Sequence, residues 1–310
     1  MPLHIETPLI ESRPLSVRLK KGVWLKMDAL QPSGSFKARG IGHACETYRR
    51  QGAARFVACS GGNAGLAVAY AGRQLGVPVV VVVPVTTTER AKALIRLEKG
   101  EVIVHGASFS EANEFALALV GPTDAYIHPF DDPLLWHGHA TLIDEMVRQG
   151  PKPDVVVLSV GGGGLFCGVI EGLRRNGWGD VPVVAVETAG ADSLAQALRA
   201  GHAVTLPAIT SLATSLGARA VCAQALHLAR EHPVESVVVS DAAAVESCLA
   251  LLEDHRLLTE AACGASLAAL HSASAFIAKA QCVAVVVCGG VGVTATQLQG
   301  LHDGFASQAG

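Results

Sequence analysis

Lys37 is the residue of this sequence whose surroundings most suggest covalent chemistry. It follows residues 31–36, where Pro32 and Gly34 indicate a turn. Apolar residues then recur at helical spacing as far as Tyr48, which predicts a helix that begins near Lys37. The helix dipole disfavours a cation at this end. A lysine amine can instead form a Schiff base with a carbonyl compound, and the alternative is an ordinary solvated lysine.

Residues 161–164 are four consecutive glycines between an apolar run and a helical pattern. Backbone N–H groups in such a loop can converge on an anion at the helix N-terminus, so we expect a phosphate there. A dinucleotide is not favoured, because a G-x-G-x-x-G reading places Phe166 or Cys167 at its last position. The sequence has no nucleotide-triphosphate P-loop motif either. The remaining alternative is a tight turn without a ligand.

Ser60 opens a second polar loop, S-G-G-N-A-G (residues 60–65), between a strand pattern and a helical pattern. The Ser60 hydroxyl, the Asn63 amide and the backbone donors of this loop could bind a carboxylate. The alternative is a simple helix cap at Asn63, which is a good residue for that position.

Cys288 stands at the end of an apolar strand pattern, before Gly289 and Gly290. Ligands of parallel sheets bind at the carboxyl ends of the strands, so Cys288 is either a site residue or a buried core thiol. A metal site at His137 and His139 is not expected, because residues two apart on a helix point in different directions.

Short apolar strand patterns alternate with helical patterns along the chain. The predicted strands are residues 23–27, 55–59, 79–83, 102–105, 125–127, 155–160, 183–186, 237–240 and 283–288. Such strands predict parallel sheets that are covered by helices on both faces. We therefore predict an α/β fold of two α/β domains with mostly parallel sheets and a site in the cleft between them. The large domain is expected to comprise residues 1–32 and 128–310, and the small domain residues 33–127.

The composition excludes several classes of partner. The 310 residues carry a net charge of −3, and only 5% are aromatic, which argues against a nucleic-acid partner. The longest apolar run, residues 77–85, is too short to span a membrane, and no signal peptide is recognisable. The eight cysteines form no C-x-x-C motif, which is typical of reduced thiols. These features predict a soluble, cytoplasmic protein.

A lysine, a phosphate loop and a carboxylate loop together suit pyridoxal 5'-phosphate acting on a small amino-acid substrate. The stretches P-S-G-S-F-K-A-R-G (32–40), S-G-G-N-A-G (60–65) and G-G-G-G-L (161–165) closely resemble the signatures of fold-type II pyridoxal-phosphate enzymes. The stretches H-P-F-D-D (128–132), E-A-A-C-G-A (260–265) and V-C-G-G (287–290) resemble the serine/threonine dehydratases, above all the short L-serine dehydratases. The resemblance covers nearly the whole chain and implies a fold similar to the tryptophan synthase β subunit.

The resemblance implies a role for each of a set of residues. Lys37 would form the Schiff base and act in catalysis together with Ser60. The cofactor would be held by Phe36, Asn63, Gly161, Gly162, Gly163, Gly164, Leu165, Cys288 and Gly289. The substrate carboxylate would be held by Ser35, Ser60, Gly61, Asn63 and Ala64. A monovalent cation such as K⁺ would lie near Glu187, Ala191, Leu216 and Ala218. A homodimer is also expected.

These residue types favour elimination. The Cys288 thiol cannot keep the pyridine nitrogen protonated as a carboxylate would, which disfavours long-lived carbanions. We hypothesise that L-serine displaces Lys37 from the cofactor, that Lys37 removes the Cα proton, and that the cofactor phosphate assists departure of the β-hydroxyl. The products would be pyruvate and ammonia, or 2-oxobutanoate from L-threonine. Gly61 lacks the side chain that serves racemases as a second acid–base group, and we expect it to widen the carboxylate pocket.

Three other functions stay open at this point. One is β-replacement, as in cysteine synthesis, for which the resemblance favours a serine at the position of Cys288. Another is a cofactor-binding homologue with weak catalysis, a hypothesis that the glycine at position 61 leaves open. A nucleotide-dependent oxidoreductase is the least supported of these functions.

Overall fold

The structure of the protein is a computed structural model that describes residues 2–308. Residue 1 and residues 309–310, which the sequence places at the ends of the large domain, lie outside the described residues. The described chain divides into two compact units. The first contains the residues up to Ile5 and Gln31–His139, and the second contains Glu6–Leu30 and the residues from Ala140 onward.

Strands and helices alternate along most of the described chain. The strands are β1 (Leu9–Glu11), β2 (Gly22–Lys26), β3 (Arg55–Cys59), β4 (Val79–Val83), β5 (Glu101–Val104), β6 (Asp124–Ile127), β7 (Val155–Ser159), β8 (Val183–Thr188), β9 (Val234–Val239) and β10 (Cys282–Val286). The helices are α1 (Arg13–Leu19), α2 (Lys37–Arg50), α3 (Asn63–Leu75), α4 (Glu89–Leu97), α5 (Phe109–Ala118), α6 (Pro133–Gln149), α7 (Gly164–Arg175), α8 (Ser193–Ala200), α9 (Ala223–Glu231), α10 (Asp241–His255), α11 (Ala261–Ala268), α12 (Ala275–Lys279) and α13 (Ala295–Gln308). Among the described residues, no helix is both long and apolar enough to cross a membrane.

The first unit is built on a four-stranded parallel sheet in the order β5-β4-β3-β6. The valines of β4 show how this sheet is covered. Val79, Val81 and Val83 pack in one apolar cluster with residues of α2 and α3, whereas Val80 and Val82 pack in another with residues of α5. Because side chains alternate along a strand, a run of valines supplies both faces of a sheet that has helices on either side.

The second unit contains a six-stranded sheet in the order β1-β2-β10-β7-β8-β9. Its strands are parallel except β1, which pairs antiparallel with β2. Strand β2 pairs with β10, so the sheet joins strands from near the two ends of the chain. The strands β7 and β8 at its centre are buried along their whole length, as expected for a sheet covered on both faces.

The predicted α/β class with mostly parallel sheets is confirmed. Some element bounds differ from the prediction. The predicted strand at 283–288 ends at Val286, since its partner β2 ends at Lys26 and the backbone turns at Gly289 and Gly290, which have positive φ. Helix α6 begins at Pro133, a residue that is well tolerated in the first turn of a helix.

Candidate active site

Lys37 is the first residue of α2, as the sequence predicts. Phe36 holds the N-cap position with a helical backbone (φ −49°, ψ −22°), and its side chain makes no capping hydrogen bond. The chain reaches this point through a turn in which the Gly34 N–H donates to the Gln31 carbonyl oxygen at 2.7 Å. Gly34 has φ of +75°, a conformation that favours glycine. Helix α2 therefore begins at Lys37 shortly after this turn.

The Lys37 amine is half-buried and oriented by its neighbours. Its Nζ donates to the carbonyl oxygen of Pro129 at 2.5 Å and lies 5.0 Å from the centre of the Phe36 ring. Pro129 belongs to the loop that follows β6. Contacts of this kind restrict the direction of the amine, which a solvated surface lysine would not show.

His139 contacts the same segment, although the sequence suggested only a metal-binding role for it and disfavoured that role. Its imidazole lies 5.0 Å from the Phe36 ring at an angle of 54° and is fully buried. Burial, together with the positive charges of Lys37 and Arg39, holds the pKa of His139 well below its usual value. The imidazole is therefore neutral. Among residues 2–308, no group of three or more His, Cys, Asp or Glu side chains is arranged to hold a metal ion.

Several buried polar atoms close to Lys37 in the sequence or in space have no hydrogen-bond partner among the described residues. They are the hydroxyl oxygens of Ser33 and Ser35 and both ring nitrogens of His139. Buried polar atoms are almost always hydrogen-bonded in proteins, and each unpaired one costs free energy. Their presence here fits a pocket that receives a polar ligand, such as a cofactor with its amino-acid substrate.

The loop of residues 60–64 follows β3 and ends in α3. The N-cap of α3 is Gly62, so the alternative of a capping role for Asn63 is not supported. The Ser60 hydroxyl accepts a hydrogen bond from the Gly62 N–H at 3.2 Å. A Cβ on Gly65 would lie 2.0 Å from the Ser60 carbonyl oxygen, so glycine is required for this tight turn. Ser60, Gly61 and Asn63 stay half-buried, so the loop is open to a ligand.

The space beside Gly61 is occupied by Thr87. A Cβ on Gly61 would lie 2.5 Å from Thr87 Cγ2 and 2.6 Å from Thr87 Oγ1. The expectation that Gly61 widens the carboxylate pocket is therefore wrong, because a side chain from the next loop fills the space. No sequence pattern indicates this contact, since the two residues lie on different loops.

The glycine loop (residues 161–164) follows β7 in the second unit, and α7 begins at Gly164. Gly163 is the N-cap of α7 with φ of +96°, and a Cβ there would lie 2.5 Å from the Cβ of Ala225. The Gly162 carbonyl oxygen accepts a hydrogen bond from the Cys222 N–H at 3.0 Å. Gly161 packs in the same way, since a Cβ there would lie 3.0 Å from the Cα of Leu216.

Residues 215–225 thus pack closely against the glycine loop, which explains why Gly161 and Gly163 carry no side chain. No side chain caps α7, so its first N–H groups stay available to a ligand. Leu165 lies buried in the first turn of the helix. A backbone cradle at a helix N-terminus fits a phosphate.

Cys288 lies two residues beyond β10 and is buried. A hydrogen bond to Cys263 and burial raise the pKa of the Cys288 thiol well above its usual value, so the thiol is neutral. Gly289 and Gly290 follow with φ of +89° and +122°. The carboxyl group of Glu260 fills the space beside Gly290, where a Cβ would lie 2.1 Å from its Cδ. The sequence did not single out Cys263 as a partner of Cys288.

The residues predicted near a cation lie on neighbouring segments of the second unit. Glu187 lies in β8, and its two carboxylate oxygens accept hydrogen bonds from the N–H groups of Leu194 and Ala195 at 2.8 and 2.7 Å. Burial raises the pKa of Glu187 to about 7. Ala191 lies in the turn between β8 and α8, and Leu216 ends the short 3₁₀ helix Thr214–Leu216. The Ala218 N–H donates to the Leu216 carbonyl oxygen at 2.7 Å.

The structure thus assigns the predicted site residues to two sets. Ser35, Phe36, Lys37, Ser60, Gly61, Asn63 and Ala64 belong to the first unit, and Gly161, Gly162, Gly163, Gly164, Leu165, Cys288, Gly289 and the predicted cation residues belong to the second. In the first set, Phe36 and Lys37 share His139 as a neighbour. In the second, Gly161 packs against Leu216, one of the predicted cation residues.

Comparison with known proteins shows similarity over nearly the whole chain. The family model described as pyridoxal-phosphate dependent enzyme matches residues 1–289. The human protein named L-serine dehydratase/L-threonine deaminase is 48% identical, with 97% of this chain and 95% of the human protein covered. An L-serine dehydratase of Dictyostelium discoideum is 43% identical, with 97% and 92% covered.

The fold agrees with a solved structure. The crystal structure of an L-serine ammonia-lyase from the fungus Rhizomucor miehei superposes with a TM-score of 0.92 at 37% identity, covering 98% of this chain and 99% of that one. This likeness confirms the fold that the sequence motifs predict.

Proposed function

Since the chain belongs to the family of pyridoxal-phosphate dependent enzymes, we propose that it deaminates L-serine to pyruvate and ammonia and acts in the same way on L-threonine. The near-full-length likeness to proteins named L-serine dehydratase supports this substrate class. The structural observation that carries the proposal is the position of Lys37. Its oriented, half-buried amine starts α2 close to buried polar atoms that have no partner among the described residues.

The residues that the resemblance assigns to the cofactor would hold pyridoxal 5'-phosphate. When bound, this cofactor supplies an electron-withdrawing ring that makes the α-proton of an attached amino acid acidic. Lys37 would be the point of covalent attachment, Phe36 would face the ring, and Asn63 would contact the ring hydroxyl. The glycine loop with Leu165 would bind the phosphate. Cys288, with Gly289 beside it, would face the ring nitrogen. Its neutral thiol would not keep that nitrogen protonated.

Lys37 would also act as the general base at the substrate Cα. Its contact with the Pro129 carbonyl oxygen takes one N–H hydrogen and so orients the rest of the amine. General bases of this kind typically contribute about 10²–10⁴-fold to the rate. The neutral charge of His139 suits this role, because a second cation close to Lys37 would disfavour the protonated amine that proton removal creates.

The loop of residues 60–64 would hold the substrate α-carboxylate through Ser60, Gly61, Asn63 and Ala64, and Ser35 would add a hydroxyl donor. The Ser35 hydroxyl is buried without a partner among the described residues, as expected for a group that awaits a ligand. Ser60 would act on the substrate as well, and its half-buried position at the carboxyl end of β3 supports this role.

The proposal extends to the cellular and quaternary state. We propose a homodimer in the cytoplasm. The cysteines support the location, because seven of the eight are buried and none forms a disulfide among the described residues. Size-exclusion chromatography with light scattering would test the dimer, and a monomer at micromolar concentration would contradict it.

A K⁺ ion near Glu187, Ala191, Leu216 and Ala218 is a further part of the proposal. Binding to the folded state alone raises the melting temperature, so K⁺ should stabilise the protein relative to a tetramethylammonium buffer of equal ionic strength. Glu187→Gln should reduce this difference. Equal melting temperatures in the two buffers would contradict the cation site.

The activity is tested on the purified protein loaded with pyridoxal 5'-phosphate. L-serine, L-threonine and D-serine are supplied in parallel, and 2-oxo acid formation is followed with a coupled dehydrogenase. We expect turnover of the two L-amino acids and little with D-serine. A protein that shows the visible absorbance of bound cofactor but forms no pyruvate would contradict the proposed reaction.

A further inference from the structure

Thr87 and Gly61 face each other from two neighbouring loops of the first unit. Strands β3 and β4 pair in parallel, with Cys59 opposite Val82, so both loops leave the same edge of the sheet. This is the edge at which parallel sheets bind ligands. Thr87 thus reaches the loop that is proposed to hold the substrate carboxylate.

A side chain at position 61 and the present position of the Thr87 side chain exclude each other. A Cβ on Gly61 would lie 2.5 Å from Thr87 Cγ2, 2.6 Å from Oγ1 and 3.2 Å from Cβ. Close packing of protein interiors leaves no room for such overlaps, so position 61 can carry a side chain only if Thr87 moves. Thr87 therefore supplies the side chain that Gly61 lacks.

The local backbone fixes the direction of Thr87. Its N–H donates to the Pro84 carbonyl oxygen at 3.0 Å, which closes a turn after β4. The next residue, Thr88, caps α4 by accepting a hydrogen bond from the Ala91 N–H at 3.2 Å. A β-branched side chain between these two anchors has little freedom about χ1.

The hydroxyl of Thr87 is available to a ligand. The side chain is half-buried, and its Oγ1 makes no hydrogen bond to the part of the chain that the structure describes. The neighbouring Ser60 hydroxyl already accepts a hydrogen bond from the Gly62 N–H. Accepting this bond leaves the Ser60 O–H able to donate as well, so Thr87 brings a second hydroxyl donor to the loop.

We propose that Thr87 is a substrate-binding residue whose hydroxyl donates a hydrogen bond to the α-carboxylate of the amino acid, while its methyl group closes the space beside Gly61. The proposal rests on the proposed function, because it takes the loop of residues 60–64 as the carboxylate site. It adds a residue from a loop that no sequence motif identified.

Two variants of similar size separate the hydroxyl from the rest of the side chain. Thr87→Val keeps the shape and removes the donor, whereas Thr87→Ser keeps the donor and removes the methyl group. Hydrogen bonds to charged groups are worth roughly a tenfold change in affinity or more. We expect Thr87→Val to raise KM for L-serine about tenfold with little change in kcat. Thr87→Ser should keep KM within about threefold of the wild-type value.

A binding measurement gives a readout that does not depend on turnover. Glycine has the α-carboxylate but no leaving group, so its affinity for the cofactor-loaded protein can be followed by calorimetry. Thr87→Val should weaken glycine binding by about the same factor as it raises KM, with an unchanged melting temperature. Glycine affinity and KM equal to those of the wild type would overturn the proposal.

The packing is tested by adding the missing side chain. Gly61→Ala should lower the melting temperature and glycine affinity, and the double variant Gly61→Ala/Thr87→Gly should recover melting temperature by freeing the space. Additive losses would contradict the packing of Thr87 against Gly61.

Failure of the proposed function looks different from failure of this inference. A wild-type protein that forms no pyruvate removes the basis of both. A wild-type protein that forms pyruvate, with a Thr87→Val variant that matches it in KM and in glycine affinity, removes only the role of Thr87.

Discussion

The imidazole of His139 lies against the ring of Phe36, with 5.0 Å between the ring centres, directly next to the lysine that starts α2. A charged imidazole in this buried position would face two other cations, Lys37 and Arg39. His139 is thus neutral beside Lys37, whose amine would gain and lose a proton in the proposed reaction. Its neutrality leads to a prediction about pH.

We predict that the protein loses stability through His139 as the pH falls below 6.5. The pKa of His139 is lowered in the folded protein, so the unfolded chain takes up a proton near its ordinary pKa and the folded chain does not. A difference of one proton makes unfolding easier by up to about 1.4 kcal/mol for each pH unit. His139→Phe should flatten the decline of the melting temperature between pH 7 and 5. An unchanged slope would show that His139 is protonated in the folded state.

Lys37→Ala should lower the rate of pyruvate formation by about 10³-fold or more, since it removes both the covalent attachment and the base. Lys37→Arg should also be inactive, because a guanidinium does not lose its proton. Circular dichroism should show both variants folded. Lys152→Ala is the matched control, because Lys152 is an exposed lysine paired with Asp180. Comparable rates for Lys37→Ala and Lys152→Ala would mean that another lysine carries the reaction.

Gly163→Ala should lower both the stability and the affinity for pyridoxal 5'-phosphate. The left-handed conformation costs a Cβ-bearing residue about 1–2 kcal/mol, and the clash with Ala225 adds about 1–3 kcal/mol more. Gly177→Ala is the control, because Gly177 has φ of +73° with no atom near its Cβ position. Urea unfolding should give the larger loss for Gly163→Ala. Equal losses would show that the glycine loop has room for a side chain.

Cys288→Ser should be tolerated, whereas Cys288→Asp should cost about 3 kcal/mol or more of unfolding free energy. The position is buried, and the negative charges of Glu260 and Asp28 act on it. A carboxylate there would be desolvated close to like charges. Urea unfolding of the two variants measures the difference. If Cys288→Asp were as stable as Cys288→Ser, the environment of this thiol would be more polar than the structure shows.

The sequence predicts much of the fold because local signals agree with the tertiary structure. The consecutive valines of β4 need apolar partners on both sides, and a parallel sheet between helices provides them. The short strand β1 and the helix α1 have no comparable pattern. They form because β1 pairs with β2 and Ser12 caps α1 by accepting from the Leu15 N–H. A strand of three residues is too short for its sequence pattern to predict such contacts.

The site residues also divide into those that local sequence identifies and those that only tertiary contacts identify. Lys37, the glycine loop and Cys288 stand out because each interrupts a strand or helix pattern with unusual chemistry. Thr87 and His139 do not, since one looks like an ordinary residue before a helix cap and the other like a surface histidine on a helix. Their positions depend on which loops and helices meet in space, which neither periodicity nor composition reveals.

The pairing of β2 with β10 has a consequence for how the chain is made. Strand β2 (residues 22–26) can pair with β10 only after residues 282–286 have left the ribosome. The first unit, by contrast, has most of its contacting residues within 31–139 and is complete far earlier in synthesis. Because pairings distant in sequence slow folding and expose strand edges, we expect the early unit to fold during translation. The second unit should close only when β10 has been made, and the edge of β2 that later pairs with β10 should be the segment that most needs a chaperone.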